Sequence, residues 1–102
     1  MKLYEIEINK DSFDEVMAGK MNFKLVENTP RYEPGDLINF AVIEKKLLGI
    51  SYDPIQGKNL EHICDINHKN NEVFRITYVL RDDPAVKDGY AGISFVRLEP
   101  VK

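Results

Sequence analysis

Tryptophan is absent from this chain, cysteine occurs once and histidine twice. A lone thiol, Cys64, excludes an intrachain disulfide and cannot by itself build a zinc site. No apolar run approaches the roughly 20 residues of a membrane-crossing helix. The opening MKLYEIEINK alternates polar and apolar residues, unlike the uninterrupted apolar stretch of a signal peptide. The expectation is a cytosolic protein without a membrane partner. The glycines at 19, 35, 49, 57, 89 and 92 stand apart as turn residues, so no glycine-rich loop can cradle a phosphate. Neither HExxH nor a Gly-x-Ser-x-Gly elbow occurs, and no cofactor is expected. A basic excess is also missing: 14 Lys and Arg face 17 Asp and Glu, a net charge of −3. A duplex binder usually carries a basic stripe, although a folded face can still gather scattered cations. There is no repeat, low-complexity tract or linker, and 102 residues make one domain, 1–102.

What is present is strand patterning. Residues 2–8 alternate, with Tyr4, Ile6 and Ile8 on one face and Glu5 and Glu7 on the other. A helix follows: Asp11 suits the N-cap, Phe13, Val16 and Met17 form an apolar stripe, and Gly19 suits the end. Residues 21–27 read as a second strand centred on Phe23 and Leu25. Pro30, Pro34 and Gly35 make 28–36 a loop closed by a tight turn. Residues 37–43 resume as strand, and 45–51 either prolong it or form a bulge. Turn residues Asp53-Pro54 and Gln56-Gly57 precede a strand at 59–66. The next strand, 72–80, has Phe74, Ile76, Tyr78 and Leu80 on one face, and 90–98 is the last. One short helix after the first strand and then strands alone predict a mainly β (α+β) fold, a small barrel of about six strands capped by that helix.

Candidate chemistry is sparse. His68 sits among Asn and Lys and reads as solvated. His62 shares a strand face with Leu60, Cys64 and Ile66, where a histidine bonded to backbone or water is the expectation. Tyr4, Tyr52, Tyr78, Tyr90, Phe40 and Phe95 could supply a base-stacking platform, but packing explains all of them except Tyr52, and it leaves Tyr32 open too. Both of those sit in polar loops. Asp82-Asp83 reads as a solvated acidic pair.

The order of these motifs resembles the PUA-like superfamily and, within it, the ASCH domains, nearest a small bacterial and phage branch known mainly as a domain of unknown function. The residues that carry the likeness are the strand Tyr4-Glu5-Ile6-Glu7-Ile8, the helix Phe13 through Lys20, the strand Asn22-Phe23-Lys24-Leu25, a loop with Asn28 and Arg31, and Pro34-Gly35-Asp36-Leu37. The stretches Phe74 through Leu80 and Asp88 through Ser94 look like that branch's last two strands. The middle, from about 44 to 72, is expanded.

The resemblance implies a barrel with a cleft near the helix that binds RNA or a nucleotide-like ligand. In some small relatives it implies amidohydrolysis of modified nucleosides. The family pattern after the helix glycine runs roughly Gly-x-Lys-x-x-Glu-x-Arg. Here Met21 replaces the lysine, Lys24 the glutamate (threonine in the hydrolases) and Val26 the arginine, while Tyr4 and Glu7 replace the first strand's histidine and lysine. Met21 cannot move a proton and Lys24 is no hydroxyl nucleophile, so hydrolysis by the family route is not expected. Three readings remain. The first is a non-catalytic domain binding RNA, a nucleotide or single-stranded nucleic acid through Lys20, Lys24, Asn28 and Arg31, with Tyr4, Glu7 and Tyr32 beside them. The second is a module whose partner is another protein. The third is an amidohydrolase rebuilt from Lys24, Glu7, His62 and Tyr4. If the first two strands are neighbours, Glu7 and Lys24 are expected to form a polarity-swapped ion pair.

Overall fold

The computed structural model describes residues 1–99. Along the chain run β1 (Leu3–Asn9), α1 (Lys10–Met17), β2 (Phe23–Glu27), β3 (Leu37–Asp53), β4 (Lys58–His68), β5 (Phe74–Leu80) and β6 (Tyr90–Arg97). The mainly β composition with one short helix after the first strand matches the expectation. All strands belong to one sheet of order β1-β3-β5-β6-β2, with β4 pairing only β3. β1 runs parallel to β3, and every other pairing is antiparallel. β1 and β2 are the two ends of this order, so the sheet is not closed. Ile6 and Ile8 from one end nevertheless share a core cluster with Val26 from the other. The sheet therefore curves around its core, and α1 supplies Val16 to the same cluster with Phe13 and Met17 packed against it.

Local chemistry departs from the sequence reading at three places. The cap of α1 is Asn9, whose side chain accepts from the Ser12 amide at 2.8 Å. Asp11 lies in the first turn instead, where it meets the positive end of the helix dipole. In β2 the inward residue is Val26, while Phe23 and Leu25 are exposed. The alternation is as expected but its phase is reversed. Phe23 lies across Gly92 of β6, where a Cβ would collide with the ring. In β5 the register shifts between Ile76 and Tyr78. This irregularity turns Tyr78 outward and leaves Val79 packed against the core, contrary to strict alternation.

The loop 28–36 is tied to the rest of the fold by hydrogen bonds and a buried ring. Gly35 adopts a φ of +94°, and its amide donates to the Ile76 carbonyl at 2.8 Å. The buried Asp36 carboxylate accepts from the Lys2 amide at 3.1 Å and the Glu33 amide at 3.0 Å. Tyr32, in a loop that reads as polar, is only 5% exposed and meets Tyr4 edge-on at 4.9 Å between centroids. Burial raises the Tyr32 phenol above its usual value of 10.0, helped by Tyr4 and the charge of Glu27. A phenol is neutral when protonated, so this contribution to stability is complete below pH 10 and is lost as pH rises through the raised value. Tyr32→Phe removes the ionisation, and its alkaline unfolding midpoint should move upward in a far-UV circular dichroism titration. An unchanged midpoint would separate Tyr32 from the alkaline transition.

The expanded middle of the chain becomes an arm. β3 runs 17 residues, but β1 pairs only with its residues up to Ile43, and beyond that only β4 accompanies it. Residues 45–51 both prolong the strand and carry a bulge, with the register shifting between Leu47 and Gly49. Residues 44–53 and 58–66 thus form a two-stranded ribbon about 33 Å long. The radius of gyration is 17.5 Å and the longest dimension 54 Å, against about 13 Å for the radius of a compact chain of this length. No member of the core cluster comes from the arm beyond Val42.

Candidate functional site

The sequence-predicted site residues do not converge. A depression of about 590 Å³ lies where β1 ends and α1 begins, at the helix's N-terminal end rather than beside Lys20. Glu7, Asn9, Lys10, Asp11, Lys24, Glu44 and Lys45 provide its polar wall. A second depression, about 380 Å³, holds Tyr4 and Arg31 with Glu33 and Asp36. A third, about 430 Å³, holds Asn28 among Asp82, Asp83, Lys87 and Asp88. Lys20 is exposed and lines none of the three. Tyr32 is withdrawn into the core.

Several of these side chains are already engaged. Arg31 Nε donates to Glu33 at 3.1 Å, which offsets the cation expected to grip an anion. The Asn28 side-chain carbonyl accepts from Arg81 Nε at 3.1 Å. Arg81 is the residue that sequence reasoning missed. It is nearly buried, and among the described residues its Nη2 has no hydrogen-bond partner, with a Glu33 carboxylate oxygen at 3.9 Å. This guanidinium ties the end of β5 to the loop 28–36, and only the fold reveals that role, since Asn28 and Arg81 are 53 positions apart.

The large cleft is electrically balanced. Its three lysines, 10, 24 and 45, face three carboxylates, those of Glu7, Asp11 and Glu44. Lys10 is bound by Asp14 of the same helix at 2.7 Å. That hydrogen bond raises the Lys10 ammonium above its usual value, with desolvation opposing and the charges of Glu44 and Asp11 adding to it. Glu44 in turn binds His68 Nε2 at 3.0 Å. His68 therefore belongs to the end of β4 and is half-buried rather than free in a loop. Glu7 and Lys24 share this cleft, but the ion pairs of the described residues do not include them. Their strands are the two ends of the sheet rather than hydrogen-bonded neighbours, so the premise of a cross-strand pair does not hold.

The four groups of a rebuilt hydrolase are also dispersed. Glu7 and Lys24 line one depression and Tyr4 another, while His62 lies on the arm, exposed, bonded to Ser51 Oγ at 2.8 Å. Met21 and Tyr4 pack against the core cluster, which contains Val26. These three side chains are engaged in apolar packing. Among the described residues no three His, Cys, Asp or Glu side chains gather as a metal site, and no helix is long and apolar enough to cross a membrane.

The largest unexplained surface is the arm. Leu47 and Ile63 are direct cross-strand partners, and Ile50 and Tyr52 continue their face. All four are more than half exposed. Leu48 at the bulge, Leu60 and the tip residue Ile55, which is 94% exposed, add to it. A two-stranded ribbon with no sheet or helix against either face is marginal in water, and clustered exposed apolar side chains mark contact surfaces. No family model and no curated protein matches this chain.

Proposed function

We propose that this protein is a protein-interaction module on a small curved β-sheet of PUA-like/ASCH type, with the β3–β4 arm as its contact element. The arm's exposed apolar face carries the reading: Leu47, Ile50, Tyr52 and Ile63 lie side by side, each more than half exposed. The packing of Met21 and Tyr4 against the core cluster that holds Val26 supports it from the other direction. A photo-crosslinking residue at Leu47 or Ile63 should give discrete protein adducts in cells, while one at Glu15 on the exposed side of α1 should not. The absence of adducts from both arm positions overturns the reading.

The alternative is binding of RNA, a nucleotide or single-stranded nucleic acid. Lys24 and Lys45 in the 590 Å³ cleft favour it, and the matching carboxylates count against a polyanion. Under that reading filter binding is salt-sensitive and is weakened by Lys24→Ala. The arm adducts would then be sensitive to ribonuclease or deoxyribonuclease.

A further inference from the structure

We propose that the occupant of the arm's outer face is a second copy of this chain, the two arms lying side by side and pointing the same way about a two-fold axis along their length. The proposal rests on the reading of the arm as a protein-contact surface. Strand alternation defines the face. Val42 points into the core, so Ile43, Lys45 and Leu47 point outward, and past the bulge Ile50 and Tyr52 join them. Their cross-strand partners on β4 are Asn67, Asp65, Ile63, Glu61 and Asn59. The core lies on the side that Val42 faces; Ile43 and Lys45 at the base of the arm border the cleft at the start of α1, whereas Leu47, Ile50, Tyr52 and Ile63 beyond it are each more than half exposed.

The two strands of the face differ in charge. β3 contributes the cation Lys45 and four apolar residues, whereas β4 contributes the anions Asp65 and Glu61 around Ile63. None of these three charged side chains is in an ion pair within the described residues. A two-fold axis along the arms lays each β3 over the partner's β4. Lys45 then faces Asp65 of the partner subunit, twice by symmetry, and Leu47 faces Ile63 of the partner subunit between them. A two-fold axis across the arms would instead lay β4 over β4 and bring Glu61 against Asp65 of the partner subunit. Like charges in apposition cost affinity and exclude the wrong register, so the parallel arrangement is selected. About ten side chains per copy take part, against 20–30 in a standard interface. The dimer is accordingly a weak one, with micromolar dissociation.

Sedimentation equilibrium of the full chain should show a monomer–dimer equilibrium in that range. Ile63→Asp should abolish it, while the far-UV circular dichroism spectrum stays unchanged. Lys45→Glu and Asp65→Lys should each weaken it about tenfold, and the double exchange should restore it. Because both residues also neighbour each other within one arm, restoration is read together with thermal stability, which should vary little across the set. With Cys64→Ser and spin labels at Gln56→Cys, parallel arms place the two tips within about 20 Å, whereas antiparallel arms separate them by roughly the arm's length. A chain that stays monomeric at millimolar concentration overturns the proposal, as does a dimer indifferent to Ile63→Asp or one with distant tips. Crosslinked adducts at Leu47 containing a different protein, with a monomeric chain, overturn only the self-association. A monomer without any adducts overturns the contact reading as well.

Discussion

Phe40→Ala is expected to lower the unfolding free energy by about 3–5 kcal/mol. Phe40 is 1% exposed and stands at the centre of the aromatic cluster, edge-on to Phe74 at 5.2 Å, Phe95 at 5.4 Å and Phe13 at 6.3 Å between centroids. These rings come from β3, β5, β6 and α1, so one truncation opens a cavity touched by four elements. Each aromatic pair also contributes about 0.5–1.5 kcal/mol beyond area burial. A small domain has only about 5–15 kcal/mol in total, and the melting temperature should fall by the order of 15–30 °C. Urea denaturation of Phe40→Ala beside Phe40→Leu measures it. A loss under about 1 kcal/mol would mean that the cluster does not organise the core. Leu48→Ala, on the exposed bulge, is the contrasting control and should stay within about 0.5 kcal/mol of the parent.

Excision of the arm should change shape without unfolding the protein. Replacing residues 45–65 by Asn-Gly keeps Glu44 opposite Ile66 and supplies a favoured two-residue hairpin turn. Every member of the core cluster remains, because β3 contributes only Ile38, Phe40 and Val42 to it. The radius of gyration should fall from 17.5 Å to about 12 Å, the value for a compact chain of the shortened length. Small-angle scattering reads the change directly, and thermal unfolding should remain cooperative within a few degrees of the parent. The shortened chain should also lose any association carried by Leu47, Ile50 and Ile63. If it fails to fold, the ribbon is part of the folding unit rather than an appendage.

These two experiments divide the molecule along the line that separates what was legible in the sequence from what was not. The order of strands around one helix could be read from alternation at Ile6 and Ile8, from the stripe of Phe13, Val16 and Met17, and from turn residues such as Gly35, whose φ of +94° suits glycine. Phase was less legible. Val26 rather than Phe23 and Leu25 faces inward because β2 pairs with β6 at the sheet's end, where Gly92 makes room for the Phe23 ring. The irregularity after Ile76 turned Tyr78 out, and no residue type announces such a shift.

The candidate site fared worse than the fold for a physical reason. Lys20, Lys24, Asn28 and Arg31 are close along the chain, and proximity in sequence suggested a single cleft. Two of them meet neighbours from elsewhere, Lys10 and Lys45 near Lys24 and Arg81 at Asn28, while Arg31 is held by Glu33 two residues on. Where the partner lies many residues away, as Arg81 does from Asn28, single-sequence periodicity carries no information about the distance.

The sequence alone determined the local terms: which segments alternate, that one short helix follows the first strand, where the chain turns, and that Met21 and Val26 carry no group able to move a proton. Those follow from backbone sterics and side-chain type, which are properties of neighbouring residues. Only the tertiary structure decided that the sheet stays open between β1 and β2, that Tyr32 is core, that the cleft balances its own charges, and that the expanded middle projects as an arm with an uncovered apolar face. Each of these depends on which distant segments meet, and that is settled by burial of the Phe40 cluster, which rewards one global arrangement of elements that local rules leave open.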